Sequence, residues 1–300
     1  MALRGQRGSV VQNLSDSDLI SVVVTTYNRS DALLRVLEGL ATQNSGGNYE
    51  VVVADDGSRL EHVTAVLSSP AAKSLRLRHV WHPDVGFTAA LVRNLGALQT
   101  GGRYLVFLDG DCVPLPDFVH AHRRLAERGW LVSGSRVLCS ERWTRQLLSS
   151  NEPRQSLDVT TLDWVGRRFR GDINKLTHLL HLPDAAWRKR RARSWHGIRS
   201  CNLAIWRDDF AAVDGFDASF AGWGHEDADL VVRLLNHGVR RKDGACATEV
   251  LHLWHVESDR SHASPNAARV SQRCQDATTS AERGLRTTAD TLGVRVTQAG

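Results

Sequence analysis

Between residues 20 and 114 the hydrophobic positions switch between two rhythms. "ISVVVTTYN" (20–28), "YEVVVADDGS" (49–58), "LRLRHVWH" (75–82) and "RYLVFLDGDCVP" (103–114) carry short apolar runs of strand length. Between them, "SDALLRVLEGLATQ" (30–43) sets Leu33, Leu34, Leu37 and Leu40 at helical spacing, and "TAALVRNLGALQT" (88–100) forms a second helix. Strands that are apolar almost throughout are covered on both faces, and strands alternating with helices pair in parallel. The pattern predicts an α/β fold, a Rossmann-like, doubly wound, mostly parallel sheet with helices on both faces.

The rhythm is lost from about 140 to 198, a stretch rich in Trp, Arg and His that reads as an insertion of short helices and loops. It returns with "SCNLAIWRDDFAAVDGFD" (200–217) and with "EDADLVVRLLNHG" (226–238), where Leu230, Val231, Leu234 and Leu235 share a helix face and Gly238 suits the C-terminal cap. "ACATEVLHLWH" (245–255) reads as another strand, and the last residues carry few large apolar side chains. The chain therefore divides into an extension (1–19), a first half (20–139), an insertion (140–199), a second module (200–260) and a peripheral helix or mobile tail (261–300).

Polar residues gather at the strand ends. Thr25, Thr26, Tyr27 and Asn28 close the first strand, Asp55 and Asp56 the second, Asp109 and Asp111 the fourth. Ligands of open α/β sheets bind beyond the carboxyl ends of the strands, so these three clusters converge on one site. The carboxylates of "DGD" (109–111) are spaced to hold a hard divalent cation together with phosphate oxygens. No G-x-G-x-x-G follows the first strand, and no G-x-x-x-x-G-K-[ST] occurs, so phosphates are not cradled by a glycine loop. In "FAGWGHEDADL" (220–230), Glu226, Asp227 and Asp229 would each gain roughly 0.3–1 kcal/mol in the first turn of a helix. That gain does not account for Trp223 between two glycines, an apolar indole poorly placed for capping.

Composition narrows the class. The 300 residues, 42% hydrophobic and 24% charged, suffice for one large domain or two small ones. No apolar run nears the roughly 20 residues of a membrane span, and the N-terminus has no apolar signal core, so a cytoplasmic protein is expected. The five cysteines include no CxxC pair, which suggests reduced thiols and argues against a zinc knuckle. The net charge of +5 is uneven: "WRKRRARSWHGIR" (187–199) holds many bases and no acid. It is either solvated surface or a contact for phosphate, an acidic acceptor or a peripheral membrane. No nucleic-acid partner is expected.

"VVVTTYNR", "VVVADDGS", "RNLGAL" and "YLVFLDGDCVP" resemble the nucleotide-sugar-binding half of glycosyltransferase family 2, which has the A-type glycosyltransferase fold. "CNLAIWRDDFAAVDGFDASFAGWGHEDADL" is similar to a C-terminal module of β-1,4-galactosyltransferases, chondroitin-type polymerases and polypeptide N-acetylgalactosaminyltransferases. The two together cover about residues 20 to 256. The resemblance implies donor binding by Thr25, Tyr27, Asp56, Arg93 and Asp109: the first two near the base, Asp56 on the uracil imide, Arg93 near the diphosphate and Asp109 on the ribose side. It implies a metal held by Asp111 and His255, with His252 falling where the galactosyltransferases place a methionine. Residues three apart in a strand face opposite ways, so both histidines can bind only if the chain turns between them. It further implies that Trp223 lies at the junction of donor and acceptor, that Glu226 binds acceptor hydroxyls and that Asp227 is the catalytic base. The helix N-terminus is expected to keep Asp227 ionised near neutral pH.

The expected activity is transfer of a sugar from a nucleoside-diphosphate sugar, a UDP-hexose or UDP-N-acetylhexosamine, to an unidentified acceptor. The expected cofactor is a divalent metal, Mn2+ or Mg2+, and the expected course is inverting. A retaining transferase is the alternative, since the C-terminal module also occurs in retaining enzymes. A sugar-phosphate nucleotidyltransferase and a non-enzymatic anion-binding protein built around 187–199 are further alternatives. The segment after His255, "VESDRSHASPN", is a candidate lid over the donor.

Overall fold

The valine-rich strands are buried because helices cover both sides of the sheet they form. In β1 (Ile20–Thr26), Val22 and Val24 belong to one core and Val23 to another, and all three are fully buried. The first core is completed by Leu33, Val36, Leu37 and Leu40 of α1 (Ser30–Ala41). The second takes Ala90, Val92 and Ala97 of α4 (Ala89–Leu98) and Leu230, Val231 and Leu234 of α9 (Glu226–Asn236). With apolar matter on both sides, neither face of these strands needs polar residues. The computed structural model describes residues 14–44, 47–150, 160–220, 222, 224–256 and 263–299.

The remaining strands of the main sheet are β2 (Tyr49–Asp55), β3 (Leu77–Trp81), β4 (Tyr104–Asp109), β6 (Trp130–Ser133), β8 (Asn202–Trp206), β9 (Arg240–Asp243) and β11 (Arg295–Gln298). Their order is β11-β3-β2-β1-β4-β8-β6-β9. The run β3-β2-β1-β4 is parallel, as the strand–helix alternation predicts. β8 instead runs antiparallel to both β4 and β6, and β11 antiparallel to β3. The hydrophobic pattern of β8 does not announce this, because burial on both faces looks the same in either direction, and the exposed β11 carries no core pattern at all. Reversal of β8 brings its first residue, Asn202, beside Leu108 at the edge where β1, β2 and β4 end. A second, three-stranded sheet has the order β5 (Cys112–Pro114), β10 (Glu249–His252) and β7 (Ser135–Leu138). The predicted strand over 245–255 is thus confined to four residues, and the chain leaves the sheet after His252.

The irregular region contains α6 (Glu141–Ser149) and α7 (Thr161–Phe169), capped by Ser140 and by a Thr160–Asp163 capping box, followed by short 3-10 turns. Residues 263–299, expected as a peripheral tail, supply α10 (Ala263–Gln275), the short α11 (Leu285–Thr288) and the edge strand β11. Val270 of α10 is fully buried with Phe220, Ala228 and Val232. Among the described residues no helix is long and apolar enough to cross a membrane.

Candidate active site

Parallel pairing in register sets Thr25 beside Asp109 and Thr26 beside Asp55, so the polar strand ends share one edge. Thr25 Oγ1 is buried and has no hydrogen-bond partner among the described residues. Tyr27 is half exposed, and its hydroxyl donates to Asp84 Oδ2 at 2.8 Å. Asp56 is buried; His82 Nε2 lies 2.9 Å from its Oδ1, and the Thr88 amide and hydroxyl both donate to its carboxylate. His82 and Thr88 escaped the sequence reading because the loop after β3 carries no motif of its own.

Asp111, His252 and His255 form one cluster whose ligand atoms all lie within 4.8 Å of one another. Asp111 follows β4, and its carbonyl accepts from Leu253 N–H at 2.9 Å, which pins the end of β10 to the D-G-D turn. Because β10 ends at His252, the chain turns there and both imidazoles face Asp111, at 3.8 Å from His252 Nε2 and 3.4 Å from His255 Nε2. His255 Nδ1 lies 2.9 Å from the Val256 carbonyl; a donor there leaves Nε2 as the free lone pair toward Asp111. Burial lowers the His252 pKa against the opposing pull of Asp111, which favours the neutral imidazole a metal requires. One carboxylate and two imidazoles fit a divalent transition-metal ion. Gly110 is part of this construction: a Cβ there would stand 2.8 Å from the Thr25 carbonyl oxygen.

A line of alternating charges runs from the D-G-D turn to the start of α9. Arg93 is buried on α4, donating from Nη2 to Asp109 Oδ1 at 3.0 Å and from Nη1 to Glu226 Oε1 at 3.2 Å. Burial opposes its charge, but Asp109 and Glu226 outweigh that and hold the guanidinium protonated well above its usual range. Glu226 Oε2 is buried without a partner among the described residues. Glu226 also lines a cleft of about 230 Å³ with Phe87, Leu91 and Phe220.

Asp227 is half-buried, with Oδ1 accepting from Ala228 N–H at 2.7 Å and Oδ2 from Ser200 N–H at 3.4 Å. Contrary to the expectation from the helix N-terminus, its pKa is pushed up to about 7, first by burial and then by the Glu226 charge. These two outweigh Arg93, the Ala228 amide and Arg199, which act the other way. The N-cap side chain does not cap this helix: His225 is in the left-handed region and makes no cap bond among the described residues. The other end closes as predicted, with Gly238 N–H bonded to Leu235 O and Val239 N–H to Leu234 O. Trp223 and most of the candidate lid lie outside the described residues.

Asp229, the remaining acid of the trio, is fully buried between Arg233 and Arg273, each 2.7 Å away, and ties α9 to α10. This role was invisible in the sequence, since Arg273 lies beyond the recognisable modules.

The mostly parallel sheet carries a carboxylate–imidazole cluster and a high-pKa carboxylate at its carboxyl edge, and comparison with known proteins supplies the class of the chain. Residues 21–192 match glycosyl transferase family 2, and residues 169–256 match the model described as the N-terminal domain of galactosyltransferase. The chain belongs to glycosyl transferase family 2. It is 29% identical over 241 residues to validoxylamine A glucosyltransferase of Streptomyces hygroscopicus subsp. jinggangensis, covering 74% of this chain and 52% of that one. To chondroitin synthase of Escherichia coli it is 27% identical over 257 residues, covering 77% and 34%. It thus spans about half the length of the first relative and a third of the second. The structure of GalNAc-T7 with UDP, GalNAc and Mn2+ shares the fold, with a TM-score of 0.58 at 16% identity over 88% of this chain and 51% of that one. Membership of the family sets aside the nucleotidyltransferase and the non-enzymatic alternatives.

Proposed function

We propose that the protein is a divalent-metal-dependent, inverting glycosyltransferase that moves a hexose or N-acetylhexosamine from a UDP-sugar to an acceptor hydroxyl. The observation that carries this reading is the joint placement, at one sheet edge, of the Asp111–His252–His255 cluster and of Asp227, with Asp109, Arg93 and Glu226 between them. The Mn2+ and UDP bound to GalNAc-T7 support the choice of ion and nucleotide. Residues 20–139 would hold the donor, 200–260 the base and acceptor contacts, and 140–199 part of the acceptor wall.

Asp111, His252 and His255 would hold the ion, which when bound neutralises the diphosphate charge that grows on departure. Asp56, fixed by His82 and Thr88, accepts from the uracil imide, while Thr25 and Tyr27 flank the base and Asp109 the ribose. Arg93 is turned to Asp109 and Glu226, so it acts on the donor chiefly by keeping those two carboxylates in place. Glu226 Oε2 accepts from an acceptor hydroxyl, and Trp223 supplies the sugar platform. Asp227 takes the proton of the attacking hydroxyl as its oxygen bonds to the anomeric carbon and the bond to the diphosphate breaks. A base with pKa near 7 is a stronger proton acceptor than an ordinary carboxylate and remains largely ionised at slightly alkaline pH.

The stereochemical course tests the reading. With an axially linked UDP-sugar, NMR of the product is expected to show an equatorial anomeric linkage; an axial product would assign the retaining course instead.

A further inference from the structure

The basic stretch 187–199 divides into two parts. Arg188 is buried and donates to the carbonyls of Leu182, Pro183, Asp243 and Ala245, while Lys189 pairs with Glu127 at 2.7 Å. These two cations hold the segment against the β9 edge of the sheet. Arg190, Arg193 and Arg199 are exposed and make no ion pair among the described residues, and Arg191 reaches only Ser194 Oγ and the His196 carbonyl. The second part is therefore available to a ligand.

Arg199 stands apart from the others by its position. The next residue, Ser200, donates its N–H to Asp227 Oδ2, which sets Arg199 at the rim beside that carboxylate. Four residues earlier, Trp195 and His196 stack with ring centroids 4.0 Å apart and planes at 20°. Trp195 is partly buried against Phe220, Ala228 and Val232 around the first turns of α9, so the stack is anchored to the helix that carries Asp227. His196 is exposed.

We propose that Trp195, His196 and Arg199 form the acceptor subsite, and that the acceptor is anionic: a sugar ring lying against the stacked rings with a carboxylate or phosphate directed to Arg199. The inference rests on the reading of Asp227 as the base. Asp227 and Glu226 repel an anion, and a neutral acceptor would need no counter-charge at this rim. An exposed guanidinium beside Asp227 offsets the repulsion and presents a fork that matches a carboxylate or phosphate. Arg190, Arg191 and Arg193 continue the positive potential away from the site and would draw in such a ligand at low ionic strength.

The test measures binding of methyl β-glucuronide, methyl β-glucoside 6-phosphate and methyl β-glucoside to the full chain with UDP and Mn2+ by saturation-transfer NMR. The wild type is expected to hold at least one anionic sugar about tenfold more tightly than the neutral one, the scale of one charged hydrogen bond. Whichever anion is preferred identifies the charged group. Arg199→Ala is expected to erase the preference and leave the neutral sugar unaffected, Arg199→Lys to keep part of it, and Lys73→Ala, at an exposed site ahead of β3 on the opposite edge of the sheet, to keep it all. Equal or absent binding of the three sugars by the wild type, or a preference that survives Arg199→Ala, overturns the proposal. Failure here is separable from failure of the mechanism: Asp227→Asn is expected to abolish turnover while retaining the anion preference.

Discussion

At the scale of single residues, Asp227 shows a local rule overridden by its surroundings. A helix N-terminus favours a charged carboxylate, yet burial and the adjacent Glu226 raise its pKa to about 7. As the proposed base it must be ionised, so the rate is expected to fall about tenfold per pH unit below 7 and to level above it, read from kcat against pH. Asp227→Asn is expected to lower kcat by roughly 10²- to 10⁴-fold. Stability moves the opposite way. The folded state holds this proton more tightly than the unfolded chain, so stability is lost as pH rises from 3.8 to about 7 and stays lost above. Asp227→Asn should therefore melt higher than wild type at pH 8 and equal it near pH 3, as calorimetry can check. The carboxylate was legible in the sequence through its motif, but its pKa was not, because that depends first on burial and then, besides the adjacent Glu226, on Arg93 and Arg199 arriving from separate stretches.

At the scale of elements, α9 connects chemistry to architecture. Its first turn carries Glu226 and Asp227 to the site, while Asp229 faces inward to Arg233 and Arg273. Removing the carboxylate with Asp229→Ala leaves the fully buried Arg233 without its counter-charge, at an expected cost of roughly 3–5 kcal/mol. Denaturant unfolding measures the loss, and faster proteolysis within 263–299 would accompany it as α10 loosens. Helix spacing made α9 readable, down to its Gly238 cap. The partner of Asp229 was not readable, since a helix of low hydrophobicity near the C-terminus looks peripheral until Val270 and Arg273 are seen against α9.

At the scale of the whole molecule, the cluster of Asp111, His252 and His255 joins the main sheet to the three-stranded one. An ion bound only in the folded state stabilises by mass action, by about 2.7 kcal/mol at a hundredfold excess over its Kd. Mn2+ is expected to raise the melting temperature by several degrees, and Asp111→Asn or His255→Ala to abolish the shift. An unchanged melting temperature in saturating Mn2+ would remove the metal from the mechanism.

Sequence alone determined the α/β class, the parallel pairing among β1 to β4, the edge on which Asp56, Asp109 and Asp111 gather, and the stretch holding Glu226 and Asp227. These follow from periodicity and short-range spacing, which a linear chain displays directly. Tertiary structure decided the rest: the reversal of β8, the turn after His252 that brings both imidazoles to Asp111, the pKa of Asp227, and the split of the basic stretch into anchoring cations and an exposed rim. Each depends on which distant residues come into contact, and burial and charge act through space rather than along the chain.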